Sequence, residues 1–264
     1  MPVDLAEDTP APLDPFQAAM ASRDADVLTL VEEAVAAGRT RMAFQPIMLA
    51  TDRRMIAFYE GLIRVLDVTG RVIPAAQFMP TIGETALGRE IDCMTLQHAF
   101  RLLQKRKDLR LSINVSARSL GDGKWRETLY RGLAEDGNLG DRLIFEISES
   151  SAMELHEVVI RFMAEVQPKG IAFALDGFGA GLIAFRHLKD FFFDMAKIDK
   201  SFMRNIAANP DNQVLAGALI MVAHQFEMFV VADGIENETD ARWMVDMSVD
   251  CLQGYHLGVP KFSL

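Results

Sequence analysis

From residue 41 onward, short apolar runs alternate with longer stretches of helical periodicity. The runs at 41–46, 55–62, 109–115, 143–147, 171–176, 194–198, 229–232 and 251–255 read as strands. Between them, apolar positions recur at helical spacing over 88–105, 125–134, 154–166, 213–225 and 238–247. Eight strands alternating with helices is the count of a closed barrel. Several runs are apolar throughout (LIFEI, IAFAL, FVVA), as strands covered on both faces should be. The first two are joined by only MLATDRRM, too short for a crossover helix, so they should pair antiparallel. The predicted class is therefore α/β: a modified TIM (β/α)8 barrel with an antiparallel first strand. No internal repeat is visible.

Before the barrel, residues 1–15 read as a disordered tail, acidic and with four prolines. Residues 16–39 read as an N-terminal helix with Leu28, Leu30, Val31, Val35 and Ala36 as its stripe and Gly38 at its stop. It is expected to cap the bottom of the barrel, which fills 40–264. The N-terminus has neither a basic segment nor an apolar one, so it is no signal peptide, and no run reaches membrane-spanning length. A cytoplasmic, soluble protein is the expectation.

Composition narrows the partners. The 264 residues are 50% apolar and 24% charged, with a net charge of −10. No basic cluster offers a phosphate-neutralising face, which argues against a nucleic acid polymer and against a membrane surface. Cys93 and Cys251 lack metal-site or redox spacing and are read as reduced core thiols.

The informative feature is where polar residues interrupt the apolar strands. Glu60, Asn114, Glu146, Asp176, Lys197, Asp233 and Gln253 each lie on a different strand, near its C-terminal end. Taken singly, each has an ordinary reading: a carboxylate after a strand often caps the next helix, and a lone lysine is usually solvated. Seven on seven strands instead converge on the barrel mouth, where such folds place their sites. The candidate ligands Glu60, Asn114, Glu146 and Asp176 are all oxygen donors, without His or Cys. That set disfavours zinc and suits Mg²⁺, Mn²⁺ or Ca²⁺. A metal plus Lys197 at a barrel mouth suggests phosphate-ester chemistry, with Arg64 as a further cation. His98, His156, His187, His224 and His256 share no spacing and are read as structural or exposed.

Eight strings stand in order along the chain: FQPI at 44–47, EGL at 60–62, INVSAR at 113–118, FEISES at 145–150, ALDGFGAG at 174–181, KIDKSF at 197–202, VVADGIE at 230–236 and QGYHLGVP at 253–260. Through these strings, in this order, the chain over residues 40–262 resembles the EAL domain family, which hydrolyses cyclic di-GMP. The resemblance implies that Glu60, Asn114, Glu146 and Asp176 hold a first divalent metal, Mg or Mn. It implies that Lys197 contacts the attacking water and that Gln253 lies near the active site. It implies that Gln45, Leu62 and Arg64 hold the nucleotide, Arg64 on a phosphate. Asp199 is placed near the guanine surface, and Glu149 anchors the loop after strand 171–176. Glu60, Lys197 and Asp233 are the catalytic candidates.

Three departures bear on activity. The family's DDFGTG is DGFGAG here, so the second-metal ligand is replaced by Gly177. The family glutamate after the seventh strand is Asp233, about 1.5 Å shorter. The usual YSS of the loop is Leu182, Ile183, Ala184. One divalent ion is therefore expected, and the second position is questioned. The leading expectation is a cyclic di-GMP receptor with weak or no phosphodiesterase activity. The alternatives are an active metal-dependent, cyclic di-GMP-specific phosphodiesterase and an interaction module that has lost nucleotide binding. Phe191, Phe192 and Phe193 would offer such a module a partner or homodimer face, although core packing of most of them is the stronger reading.

Overall fold

The computed structural model describes residues 15–181 and 185–264, with side chains over 25–181 and 187–264. In chain order the elements are α1 (Pro15–Ala36), β1 (Thr40–Leu49), β2 (Ile56–Leu66), β3 (Val72–Ile73), α2 (Met79–Ile82), α3 (Ala86–Lys105), β4 (Leu111–Asn114), α4 (Gly123–Glu135), β5 (Leu143–Ser148), α5 (Glu149–Glu154), α6 (His156–Val166), β6 (Ala172–Phe178), β7 (Met195–Ile198), α7 (Pro210–Gln225), β8 (Phe229–Asp233), α8 (Glu238–Asp246) and β9 (Cys251–Gln253). Strands β2 and β4 to β9 are parallel neighbours, and β1 closes the ring antiparallel to both β2 and β9. The result is the expected eight-strand barrel, with β3 appended to the edge of β2.

The first strand runs on past Pro46, where the sequence pattern placed its end. Proline lacks an N–H, so it is tolerated only where no ladder bond is needed. Pro46 faces Tyr59 on β2, and β1 meets β9 only from Met48 onward. The gap is filled by side chains: Gln45 donates to the Gly258 carbonyl (3.1 Å) and accepts from Gln253 (3.3 Å).

Alternation along each strand sorts the interior into layers. Phe58, Ile144, Ala174, Val231 and Cys251 point inward and form one buried apolar cluster with Ile47. Two residues further along lie Glu60, Glu146, Asp176, Asp233 and Gln253. An apolar floor thus lies directly beneath a polar layer. On the outer face of the barrel, Trp125, Phe145, Phe162 and Phe173 interlock with centroids 5.4–6.2 Å apart and seat α4 and α6 on β5 and β6.

One expectation changes. Helix α1 does not cap the barrel bottom. Val31, Ala34 and Val35 pack on Val65, Ile73, Phe78, Ile82 and Ile91, beside the C-terminal half of β2, while Leu30 of the predicted stripe is exposed. The reason is connectivity: β1 starts at the mouth end and runs down, so the helix feeding it ends near the mouth. The predicted tail at 1–15 overlaps α1 at Pro15, and its other residues lie outside the described ones. Of the three phenylalanines, Phe191 and Phe193 are core and stack at 5.3 Å, which leaves Phe192 alone exposed, at 65%. Cys93 and Cys251 are free and buried, and burial pushes both thiols up to about 11.

Candidate functional site

The period-two rule places one side chain from every barrel strand at the mouth: Gln45, Glu60, Asn114, Glu146, Asp176, Lys197, Asp233 and Gln253. At the centre of this ring is Lys197, only 2% exposed. Its ammonium donates to Glu146 (2.6 Å) and Glu60 (3.1 Å) and lies 3.9 Å from Asp176. Glu60 also accepts from Asn114 (2.8 Å) and Gln253 (2.5 Å).

The two buried glutamates respond oppositely to the same ammonium. Burial opposes the charge of Glu60 most strongly, yet Lys197 and the donors from Gln253 and Asn114 outweigh it and hold its carboxyl below the usual range. Glu146 has one donor, and burial followed by the charge of Glu60 raises its carboxyl. Burial likewise raises Asp233 to about 6. Lys197 is held charged well beyond its normal range: burial works against it, but Glu146, Glu60, Asp176 and Asp233 prevail. Four carboxylates thus share one ammonium, which leaves surplus negative charge in a desolvated place.

That surplus and the donor chemistry fit a divalent cation. Glu146 Oε1 is buried with no hydrogen-bond partner, the condition of an oxygen awaiting a cation. All four predicted ligands are oxygen donors on consecutive staves β2, β4, β5 and β6. Among the described residues no three His, Cys, Asp or Glu side chains already form a cage, and the Lys197 ammonium stands between Glu60 and Glu146.

The flanking candidates occupy the rim. Leu62 and Arg64 continue the inward face of β2, both half-buried. Among the described residues Arg64 makes one hydrogen bond, to the Ile63 carbonyl (3.1 Å). Asp199, two residues past Lys197, accepts from the Ser201 N–H (2.8 Å). Glu149, at the start of α5, is buried and accepts from the Gly179 N–H (2.7 Å), so it fastens the turn after β6. Gly177 opens that turn at φ +70°, and a Cβ placed there would meet nothing nearer than Asp199 Oδ2 at 4.0 Å. Leu182, Ile183 and Ala184 lie outside the described residues. His98, His224 and His256 bond to Thr40, Asp250 and Glu238, and the rings of His156 and His187 lie 6.0 Å apart.

Two supports escaped the sequence. Glu238 receives Arg53 (2.6 Å), Arg242 (2.7 Å) and His256 (3.2 Å), tying the β1–β2 hairpin to the segment after Gln253. Asp92 on α3 accepts from the Ser116 N–H (3.0 Å) and the Ser119 hydroxyl (2.7 Å), pinning the loop that follows Asn114. Only its acidity on an otherwise apolar helix face hinted at this. Burial, the largest influence, pushes Asp92 up to about 7 from 3.8. The native state therefore binds this proton more tightly than the unfolded chain. Its contribution is undiminished below pH 3.8 and is lost as pH rises toward 7. Melting temperature should fall from pH 5 to 8 in the wild type and fall less in Asp92→Asn; parallel curves would contradict the burial of this charge.

With the geometry in place, comparison with known proteins is direct. The EAL domain family model matches residues 30–260, and the chain belongs to that family. It is 28% identical over 221 residues to the cyclic di-GMP phosphodiesterase PdeF of Escherichia coli, covering 82% of this chain and 29% of PdeF. It is 27% identical over 241 residues to the cyclic di-GMP phosphodiesterase PdeB of Shewanella oneidensis, covering 88% and 28%. The chain thus spans less than a third of the length of these curated relatives. Its fold superposes on the FimX EAL domain of Pseudomonas aeruginosa bound to c-di-GMP with a TM-score of 0.82 at 24% identity, over 90% of this chain and 97% of that one. The c-di-GMP complex of the PaMucR phosphodiesterase gives 0.80, also at 24%, over 89% and 97%.

Proposed function

We propose that this chain binds cyclic di-GMP with a divalent cation at the barrel mouth and hydrolyses it weakly or not at all. The observation that carries the reading is an asymmetry. The first set of oxygen donors, Glu60, Asn114, Glu146 and Asp176, is complete around Lys197, whereas position 177, next to Asp176 on β6, has no side chain and Asp233 at the end of β8 is a short one.

Glu60, Asn114, Glu146 and Asp176 would hold Mg or Mn. When bound, such an ion polarises a phosphoryl oxygen and lowers the pKa of water. Lys197 supplies positive charge where negative charge develops, and Asp233 is the further acid–base candidate. Arg64, without an ion pair among the described residues, meets a phosphate. Gln45, Leu62, Asp199 and Gln253 hold the rest of the nucleotide, and Glu149 fastens the turn at Gly179. Among the described residues no helix is long and apolar enough to cross a membrane. A homodimer or protein partner on the segment 191–193 would have to rest on Phe192.

Calorimetry with cyclic di-GMP and Ca²⁺, run beside chromatography for the linear dinucleotide with Mg²⁺ or Mn²⁺, tests this. Heat with little product is expected, and Glu60→Gln should abolish the heat. Absence of heat at ligand well above micromolar ends the receptor reading. Brisk product from the unmodified chain favours the active phosphodiesterase, a reading supported by the retained Glu60, Asp176 and Lys197.

A further inference from the structure

The barrel has a second opening, at the N-terminal ends of its strands. Closed barrels fill their interior with layers of side chains. Here the layer below the apolar floor is thin. Ala57 and Ala172 contribute single methyl groups beneath Phe58 and Ile144 of the floor, with Leu49, Met195 and Phe229 beside them. An open cavity of about 300 Å³ results. Ala57, Ala172 and Met195 are only half-buried, so apolar surface is held against water inside a concave pocket. At roughly 30 Å³ for each water-sized group, the space takes about ten non-hydrogen atoms. The rim carries Arg110, exposed and without an ion pair among the described residues. The rim's acid, Asp141, has its carboxylate against Gly170, where a Cβ would meet Oδ1 at 2.0 Å. An apolar shaft ending at a free guanidinium complements an apolar chain ending in an anion.

We infer that this well binds a free medium-chain acyl carboxylate of about eight to ten carbons, tail inward and head on Arg110. The site is separate from the mouth but built on the same staves. Ala172 precedes Asp176 on β6, Met195 precedes Lys197 on β7, and Cys251 precedes Gln253 on β9.

Titration calorimetry with hexanoate, octanoate and decanoate, below micelle formation, tests the assignment. Affinity should rise about fourfold per methylene, since each buried CH₂ adds a nearly constant increment, and level off once the well is full. Ala172→Leu should weaken decanoate at least tenfold. Ala57→Leu fills the well from the opposite side and serves if the first variant folds poorly, which circular dichroism will show. Arg110→Gln should weaken decanoate several-fold, and decanol should bind less tightly than decanoate. Vesicles of phosphatidylglycerol should leave the protein in the supernatant. No heat with decanoate, wild-type affinity in a filled variant that folds, or decanol binding as tightly would overturn the site. Sedimentation with vesicles that Ala172→Leu abolishes would overturn the free acid as occupant.

Discussion

Lys197→Met should destabilise the metal-free protein by about 3–5 kcal/mol, the usual cost of removing one partner from a buried charge cluster. For a domain of this size that lowers the melting temperature by on the order of 10 °C. The ammonium is 2% exposed and sits 3.1 Å from Glu60 and 2.6 Å from Glu146. Methionine fills the same volume but leaves the carboxylates facing one another in a low-dielectric pocket. Three further measurements separate this cause from poor packing. Lowering the pH should recover stability in the variant, because protonation removes the repulsion. Adding Mg²⁺ should raise its melting temperature more than that of the wild type, because a cation then relieves the larger surplus. Finally, Glu146→Gln should stabilise the Lys197→Met background more than the wild type, because there it removes a carboxylate that no ammonium opposes, a coupling that a double-mutant cycle reads directly. An unchanged melting temperature in Lys197→Met would mean that the ammonium is not the counter-ion of this ring.

The ring itself was legible in the sequence because two short-range rules sufficed. Parallel strands align their C-terminal ends, and alternation sends residues two apart to the same face. Phe58 with Glu60, Ile144 with Glu146 and Cys251 with Gln253 follow from the printed order alone. What the sequence withheld depends on distance. Nothing local to Leu30 says that it faces solvent while Val31 and Ala34 meet β2 and α3. Proline normally stops a strand, and Pro46 does not, because the neighbour it would have bonded to is absent at that level. The tethers from Arg53 to Glu238 and from Asp92 to Ser116 join segments 185 and 24 residues apart. Phe192 could be told from its neighbours only once Phe191 and Phe193 had stacked inward. The vacant lower barrel rests on alanines at 57 and 172, which look like ordinary strand residues until their faces are known.

The double change Gly177→Asp with Asp233→Glu should raise phosphodiesterase turnover with Mn²⁺ or Mg²⁺ at least about tenfold, the scale by which even residues one layer outside a metal alter activity. The structure permits the first substitution. A Cβ at 177 has open space, with Asp199 Oδ2 the nearest atom at 4.0 Å. Its backbone, at φ +70°, is left-handed, where aspartate is among the better tolerated side chains and the cost is about 1–2 kcal/mol. The second substitution returns about 1.5 Å of reach to the carboxylate after β8. The first adds a carboxylate to a mouth already rich in negative charge, so the variant should melt below the wild type in chelator. Divalent cation should then raise its melting temperature by more than it raises that of the wild type, since binding to the native state alone stabilises it. The two readouts answer different questions. Greater stabilisation by Mn²⁺ without turnover would mean that an ion is held but that the nucleotide is not placed for attack, which points to Arg64 and the loop fastened by Glu149. Equally brisk turnover in the wild type and the double variant would show that Gly177 and Asp233 never limited the reaction, and the weak-hydrolysis reading would fall with it.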